Sequence, residues 1–144
     1  MLTKEKLRIL GIDYGEKRIG VAISDPLGIT AQGVAVFGKG STYAEDIKEI
    51  KKIIKQYEGI DEIVVGLPKT LKGEIGPSAQ KVLEFVEALK KAFKIAILAW
   101  DERLTTAQAE KTLQTAGLNS KKRRSVIDKT AAAYILQSYM DCKK

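Results

Sequence analysis

The chain predicts a mixed α/β fold: a five-stranded sheet, three strands forming an antiparallel meander and two running parallel, with helices on both faces. Two observations carry that prediction. Up to Phe37, three short apolar segments follow one another across tight, glycine- and proline-marked turns. Beyond Gly40, helical and strand periodicities alternate as helix-strand-helix-strand-helix, the pattern of parallel strands joined by right-handed crossovers.

Leu7 to Asp13 reads as the first strand and Ile19 to Ser24 as the second, with Gly15 and Gly20 bracketing the turn between them. Asp25-Pro26-Leu27-Gly28 supplies the next turn, and Ala31 to Phe37 reads as the third strand. Ser41 or Thr42 can cap a helix that places Ile47, Ile50, Ile54 and Tyr57 on one stripe and stops at Gly59. The β-branched run Glu62 to Leu67 is a buried strand that Pro68 ends. Pro77 opens a second helix with Val82, Phe85, Val86, Leu89 and Phe93 inward. Ile95 to Trp100 is another buried strand. Thr105 with Gln108 starts a third helix that Gly117 ends, and a last helix runs from about Ser125 to Tyr139. No linker or repeat interrupts the pattern, so one domain over residues 1–144 is expected.

Composition narrows the chemistry. A chain of 144 residues, 44% hydrophobic, can bury roughly two thirds of its unfolded surface. No apolar run approaches the roughly 20 residues of a membrane span, and the N-terminus lacks a signal peptide's apolar stretch. Cys142 has no partner in the chain, so the cytoplasm is the expected compartment. Lysine and arginine number 25 against 18 acids, a net charge of +7 that suits a nucleic acid and equally a merely soluble basic protein. The absence of histidine is sharper: it removes Ser-His-Asp triads, Cys-His pairs and histidine-ligated metals. Hydrolytic chemistry must then rest on carboxylates holding hard cations, or on lysine.

Three acidic positions stand where such a site wants them. Asp13 ends the first strand beside Gly15; Glu102, preceded by Asp101, follows the last strand; Asp128 precedes Ala131, Ala132 and Ile135 at i+3, i+4 and i+7 of the last helix. Small alanines let that helix lie close to the sheet and carry Asp128 toward the strand ends. Asp101 and Glu102 face opposite ways in extended chain, and Glu102 has the longer reach. Clustered carboxylates repel unless cations sit between them. Two Mg²⁺ ions roughly 3.5–4 Å apart can activate water and stabilise the leaving oxygen of a phosphodiester. Against this stands the plain reading of surface and capping acids, natural for Asp128 near a helix start.

Each acid has cations near it in sequence. Lys17 and Arg18 lie in the turn after Asp13, Arg103 adjoins Glu102, and Lys121, Lys122, Arg123 and Arg124 lead to Asp128. They suit phosphates flanking a scissile bond, although the 121–124 run alone reads first as a solvated face. The Gly73 to Gly76 loop is either an approach to nucleic acid or a plain connection. Tyr14 and Trp100 read as core residues before they read as base-stacking ones.

The arrangement resembles the ribonuclease H-like architecture, where carboxylates cluster at central strand ends. The chain also resembles the YqgF (RuvX) family of Holliday-junction-resolvase-like nucleases. Four ordered motifs carry the likeness: Gly11-Ile12-Asp13-Tyr14-Gly15 with Lys17 to Ala22; Val64 to Pro68 with Gly73 and Gly76; Asp101 to Thr106; and Ile127-Asp128 with Ala131, Ala132 and Ile135 to Gln137. The resemblance implies divalent-metal (Mg²⁺ or Mn²⁺) phosphodiester cleavage with Asp13, Glu102 and Asp128 as the acidic, metal-holding set. It implies a role in maturing the 5′ end of precursor 16S ribosomal RNA, with four-way DNA junctions as the alternative substrate. The strand order it implies puts the last strand two spacings from the first, roughly 10 Å of backbone between Glu102 and Asp13. One departure is Thr70, where the family often has Asn. The glycine motif around Asp13 also resembles the phosphate hairpin of actin-like ATPases, and a non-catalytic nucleic-acid-binding protein is a third reading. Monomer and homodimer both remain open.

Overall fold

The computed structural model describes residues 8–102 and 120–143, the side chains of 120–130 and 143 excepted. Five strands occupy it: β1 (Arg8–Tyr14), β2 (Arg18–Ser24), β3 (Ala31–Gly38), β4 (Ile60–Leu67) and β5 (Ala96–Asp101). They lie in the order β3-β2-β1-β4-β5. β1, β2 and β3 pair antiparallel as the predicted meander, while β4 runs parallel to β1 and β5 parallel to β4. The last strand is therefore two spacings from the first, as expected. No helix among the described residues is long and apolar enough to cross a membrane.

Helices α1 (Tyr43–Gln56) and α2 (Pro77–Ala92) cover one face. Thr42 caps α1, its hydroxyl accepting the Glu45 N–H; of the expected stripe Ile47 and Ile50 are buried and Ile54 and Tyr57 half-buried, while Ile53, outside that stripe, is buried as well. Gly59, at φ +82°, makes the left-handed turn into β4. Pro77 begins α2, which buries Val82, Phe85, Val86 and Leu89 against Leu10, Ile12, Ile63 and Val65 of the sheet. Tyr14 belongs to this core: its ring stacks on Phe85 at 4.1 Å and its hydroxyl donates to the buried Asp46. Burial and Asp46 both push the phenol's pKa upward.

The last helix, α3 (Ser120–Lys143), covers the other face. It begins about five residues before the expected start, because Lys121 to Arg124 are good helix formers and extend the helix rather than leading up to it. The expected helix from Thr105 to Gly117 lies outside the described residues. Ala132, Ile135, Leu136, Tyr139 and Met140 form the buried stripe of α3, packed on Ala22 and Val64. Side-chain ties fix it there. Gln137 accepts the Ala31 N–H and donates to the Ile29 carbonyl, Trp100 donates to Ser138, and Tyr139 donates to Glu62. Trp100 meets Tyr139 edge-on and so packs in this core.

Close approach of α3 depends on Gly11. A methyl group there would sit 2.8 Å from Leu136 Cβ and 3.1 Å from the Ala132 carbonyl oxygen. Backbone cannot yield as a flexible side-chain tip can. Gly11→Ala is expected to lower unfolding free energy by about 1–3 kcal/mol in urea titration. Gly38→Ala, in β3 with nothing within 4 Å of its added carbon, should be neutral or slightly stabilising. Equal behaviour of the two variants would refute this account of the helix–sheet spacing.

Candidate active site

Alternation along the strands decides which residues share the α3 face. Leu10, Ile12 and Tyr14 point into the α1–α2 core, so Gly11 and Asp13 face α3. In β4, Ile63, Val65 and Leu67 face α1 and α2, leaving Val64 and Gly66 toward α3. Ile12 pairs with Val65, and the next step of that register brings Asp13 beside Gly66. Gly66 in turn pairs with Trp100 of β5.

Glu102 closes the arrangement. Its N–H donates to the Leu67 carbonyl at 3.1 Å, holding the chain in line with β4 just after β5 ends. Its carboxylate then folds back over Gly66, where an added methyl group would collide with Glu102 Oε2 and with Ile135 of α3. Any side chain at 66 would thus fill the space that the Glu102 carboxylate uses to cross the β4 spacing toward Asp13. Gly66 is a functional position that the candidate residues do not include, yet it carries a sequence signal: an isolated glycine inside a β-branched buried run marks a close approach of another group.

The two acids lie close enough for their charges to act on one another. The Glu102 carboxyl is pushed up from its ordinary 4.5 to about 7, first by burial and then by the charges of Asp13 and Asp101. Asp101 thus acts on Glu102 as a neighbouring charge. Oxygen donors without histidine, here a buried Glu102 with a raised pKa beside Asp13, fit a hard divalent cation. Among the described residues no group of three acids, cysteines or histidines converges to hold such an ion, so the fitting donors here are Asp13 and Glu102.

The remaining candidate positions divide clearly. Lys17 lies exposed in the β1–β2 turn, and Arg18 is the exposed first residue of β2. Arg103 lies outside the described residues. Lys121, Lys122, Arg123, Arg124 and Asp128 are in α3, with their side chains outside the described part. The helix backbone itself is informative. Ile135 lies over Gly66 late in β4, whereas Tyr139 reaches Glu62 early in it, so α3 runs antiparallel to β4 and β1. Ala132 lies against Gly11. Position 128, one turn (~5.4 Å) earlier, comes roughly level with Asp13, which lies two residues (~7 Å) beyond Gly11. Thr70, the departure noted above, accepts the Glu74 N–H with its hydroxyl and so retains a polar role in its loop.

Glu102 gives this geometry a pH signature. A raised carboxyl pKa means the folded state binds its proton more tightly than the unfolded chain does. The associated stability is intact below the ordinary value of 4.5 and is lost as pH climbs through about 7. The loss is on the order of 3 kcal/mol when complete. In EDTA, Glu102→Gln should therefore unfold at higher urea than the parent protein at pH 8. The advantage should fade toward pH 4. An advantage independent of pH would show that the carboxyl is not buried beside Asp13.

Known proteins resemble the chain in both sequence and fold. The RuvX family model, described as a Holliday junction resolvase, matches residues 7–142. A protein of Clostridium botulinum named "Putative pre-16S rRNA nuclease" is 51% identical over 135 residues, covering 94% of this chain and 97% of its own length. A relative of the same name from Clostridium tetani is 52% identical, over 94% of this chain and 96% of its own. Among solved structures, Thermus thermophilus RuvC in complex with a Holliday junction superposes with a TM-score of 0.59 at 12% identity, covering 95% of each chain. The fowlpox virus Holliday junction resolvase gives 0.54 at 15% identity, over 96% of this chain and all of its own. These likenesses show the ribonuclease H-like fold. With a family model spanning nearly all of its length and relatives sharing half of its residues, the chain belongs to the RuvX family and is a nuclease.

Proposed function

We propose that the protein hydrolyses phosphodiester bonds at the 5′ end of precursor 16S ribosomal RNA, in the cytoplasm. Asp13, Glu102 and Asp128 form the acidic set, and Mg²⁺ or Mn²⁺ is the ion they hold. The observation that carries the reading is the Glu102 carboxylate lying over Gly66, close enough to Asp13 for their charges to couple. The substrate assignment is supported by the half-identical relatives. A second reading, cleavage of four-way DNA junctions, is favoured by the description of the matching family.

Within this proposal the residues divide the work. Asp13 is carried by β1, a central strand paired with β2 and β4, so its backbone is held in place. Glu102, just past the end of β5, is only partly ionised near neutral pH, because burial and the Asp13 charge raise its pKa to about 7. Asp128 completes the set from α3. Lys17 and Arg18 meet phosphate near Asp13, and Arg103, Lys121, Lys122, Arg123 and Arg124 are the further cations available to the nucleic-acid backbone. Held by these carboxylates, a divalent cation would supply positive charge for activating a water and for stabilising the departing oxygen.

The test compares labelled precursor RNA, a four-way DNA junction and plain duplex, each with Mg²⁺, Mn²⁺ or EDTA. Cleavage of the RNA with either metal and none in EDTA is the expected result. Preferential cleavage of the junction would establish the second reading instead. Asp13→Asn should retain binding and lose more rate than the roughly 10–100-fold that removal of a supporting partner costs. An unimpaired Asp13→Asn enzyme would remove the acid set from the mechanism.

A further inference from the structure

The loop after β4 carries a feature that the acid pair does not explain. Leu71 is 97% exposed, and Ile75, four residues later, is 46% exposed. Single exposed apolar residues are ordinary on protein surfaces, but this one is held in place and well positioned. The Thr70 carbonyl accepts the Gly73 N–H at 2.8 Å, so Leu71 and Lys72 are the two corner residues of a tight turn. Gly73 supplies the left-handed residue at φ +84°. Thr70 and Glu74 then clamp the turn twice, Thr70 N–H to the Glu74 carbonyl and Glu74 N–H to the Thr70 hydroxyl, each at 3.0 Å. The leucine thus stands at the tip of a braced support.

The base of that support is tied to the backbone of Glu102. The Leu67 carbonyl accepts both the Lys69 N–H, at 3.0 Å, and the Glu102 N–H, at 3.1 Å. Leu71 is two residues beyond Lys69, at most about 7 Å of extended chain. Lys69 and Lys72 flank it in sequence, cations suited to phosphates on either side of an apolar tip. Apolar side chains presented among cations enter base steps in nucleic acids, partly unstacking them.

We propose that Leu71 is a wedge that enters a base step close to the scissile phosphate, so that the nuclease selects RNA whose stack is already weakened where paired and unpaired regions meet. This rests on the nuclease reading above and adds the feature of the substrate that is recognised. Burying one leucine returns about what unstacking one step costs. The balance is therefore favourable at a step that is already loosened, and is not favourable within a regular duplex.

The test uses the full chain carrying Asp13→Asn, so that binding is read without turnover. The probe is an RNA hairpin with a 5′ single-stranded extension and 2-aminopurine placed in turn at steps around the boundary. Leu71 present, fluorescence at one step should rise on binding. Leu71→Ala should abolish the rise and weaken binding of this RNA about ten-fold, while binding to regular duplex stays as it was. Leu71→Met should restore both. A fluorescence rise that survives Leu71→Ala, or no rise at any step with Leu71 present, overturns the wedge. Cleavage is scored separately with Asp13 intact: an enzyme that cuts RNA without unstacking it sinks only the wedge, and a protein that unstacks RNA without cutting it sinks only the RNA-cleavage reading.

Discussion

The structure depends on a steric vacancy at Gly66. Two acids attached to β1 and to the end of β5 are separated by the whole width of β4, and a side chain on that middle strand would keep them apart. Glycine removes the obstacle: the Glu102 carboxylate and the tip of Ile135 both occupy space that a methyl group would take. The same device recurs at Gly11, where the absent side chain admits the backbone of α3 at Ala132. Both glycines face the same helix. The sheet is smooth where α3 crosses it, and the smoothness brings the acids together.

This arrangement costs stability and is tolerated for a physical reason. Like charges in a half-buried space raise one another's pKa, and Glu102 shows it, pushed to about 7 by burial, Asp13 and Asp101 together. A fold selected for stability alone would place a lysine or a neutral residue there. Retaining acids at a site that disfavours their charge is typical of positions whose ionised form is needed when a cation arrives. Asp46, more deeply buried at 1% exposure, shows the contrasting structural solution: its carboxylate accepts hydrogen bonds from the Tyr14 hydroxyl and the Gly40 N–H and braces the entry to α1.

Much of this was legible in the sequence because its signals are local. Turn residues between β1, β2 and β3, the Thr42 cap, Gly59 and Pro77 each act within a few residues, and each stands where the periodicity placed it. Asp13 and Glu102 were recognisable as strand-end acids. What sequence could not supply was the distance between them. Backbone spacing alone suggested a loose pair, because the decisive event is a side chain folding back across a third strand, and no local pattern encodes that. The start of α3 was misjudged for a related reason. A dense basic run resembles a solvated lead-in, whereas lysine and arginine extend a helix once packing of Ala132, Ile135 and Leu136 has nucleated it.

Topology explains why the acids gather at this point and at no other along the sheet. The strand order β3-β2-β1-β4-β5 descends to β1 and then jumps to β4, so the chain reverses its direction of growth between those two strands. The connections through α1 and α2 cover one face, and the helix on the other face arrives from the far end of the chain. In open α/β sheets a crevice forms where successive connections diverge in this way, outside the carboxyl ends of the flanking strands. Asp13 lies near the carboxyl end of β1, Gly66 near that of β4, and Glu102 just past that of β5. Since α3 runs antiparallel to these strands, its earlier residues approach the crevice and its later ones bind the sheet through Gln137, Ser138 and Tyr139. One helix therefore serves two purposes by direction alone: its C-terminal half holds it down, which leaves its N-terminal half positioned by a rigid lever over the strand ends where the acids meet.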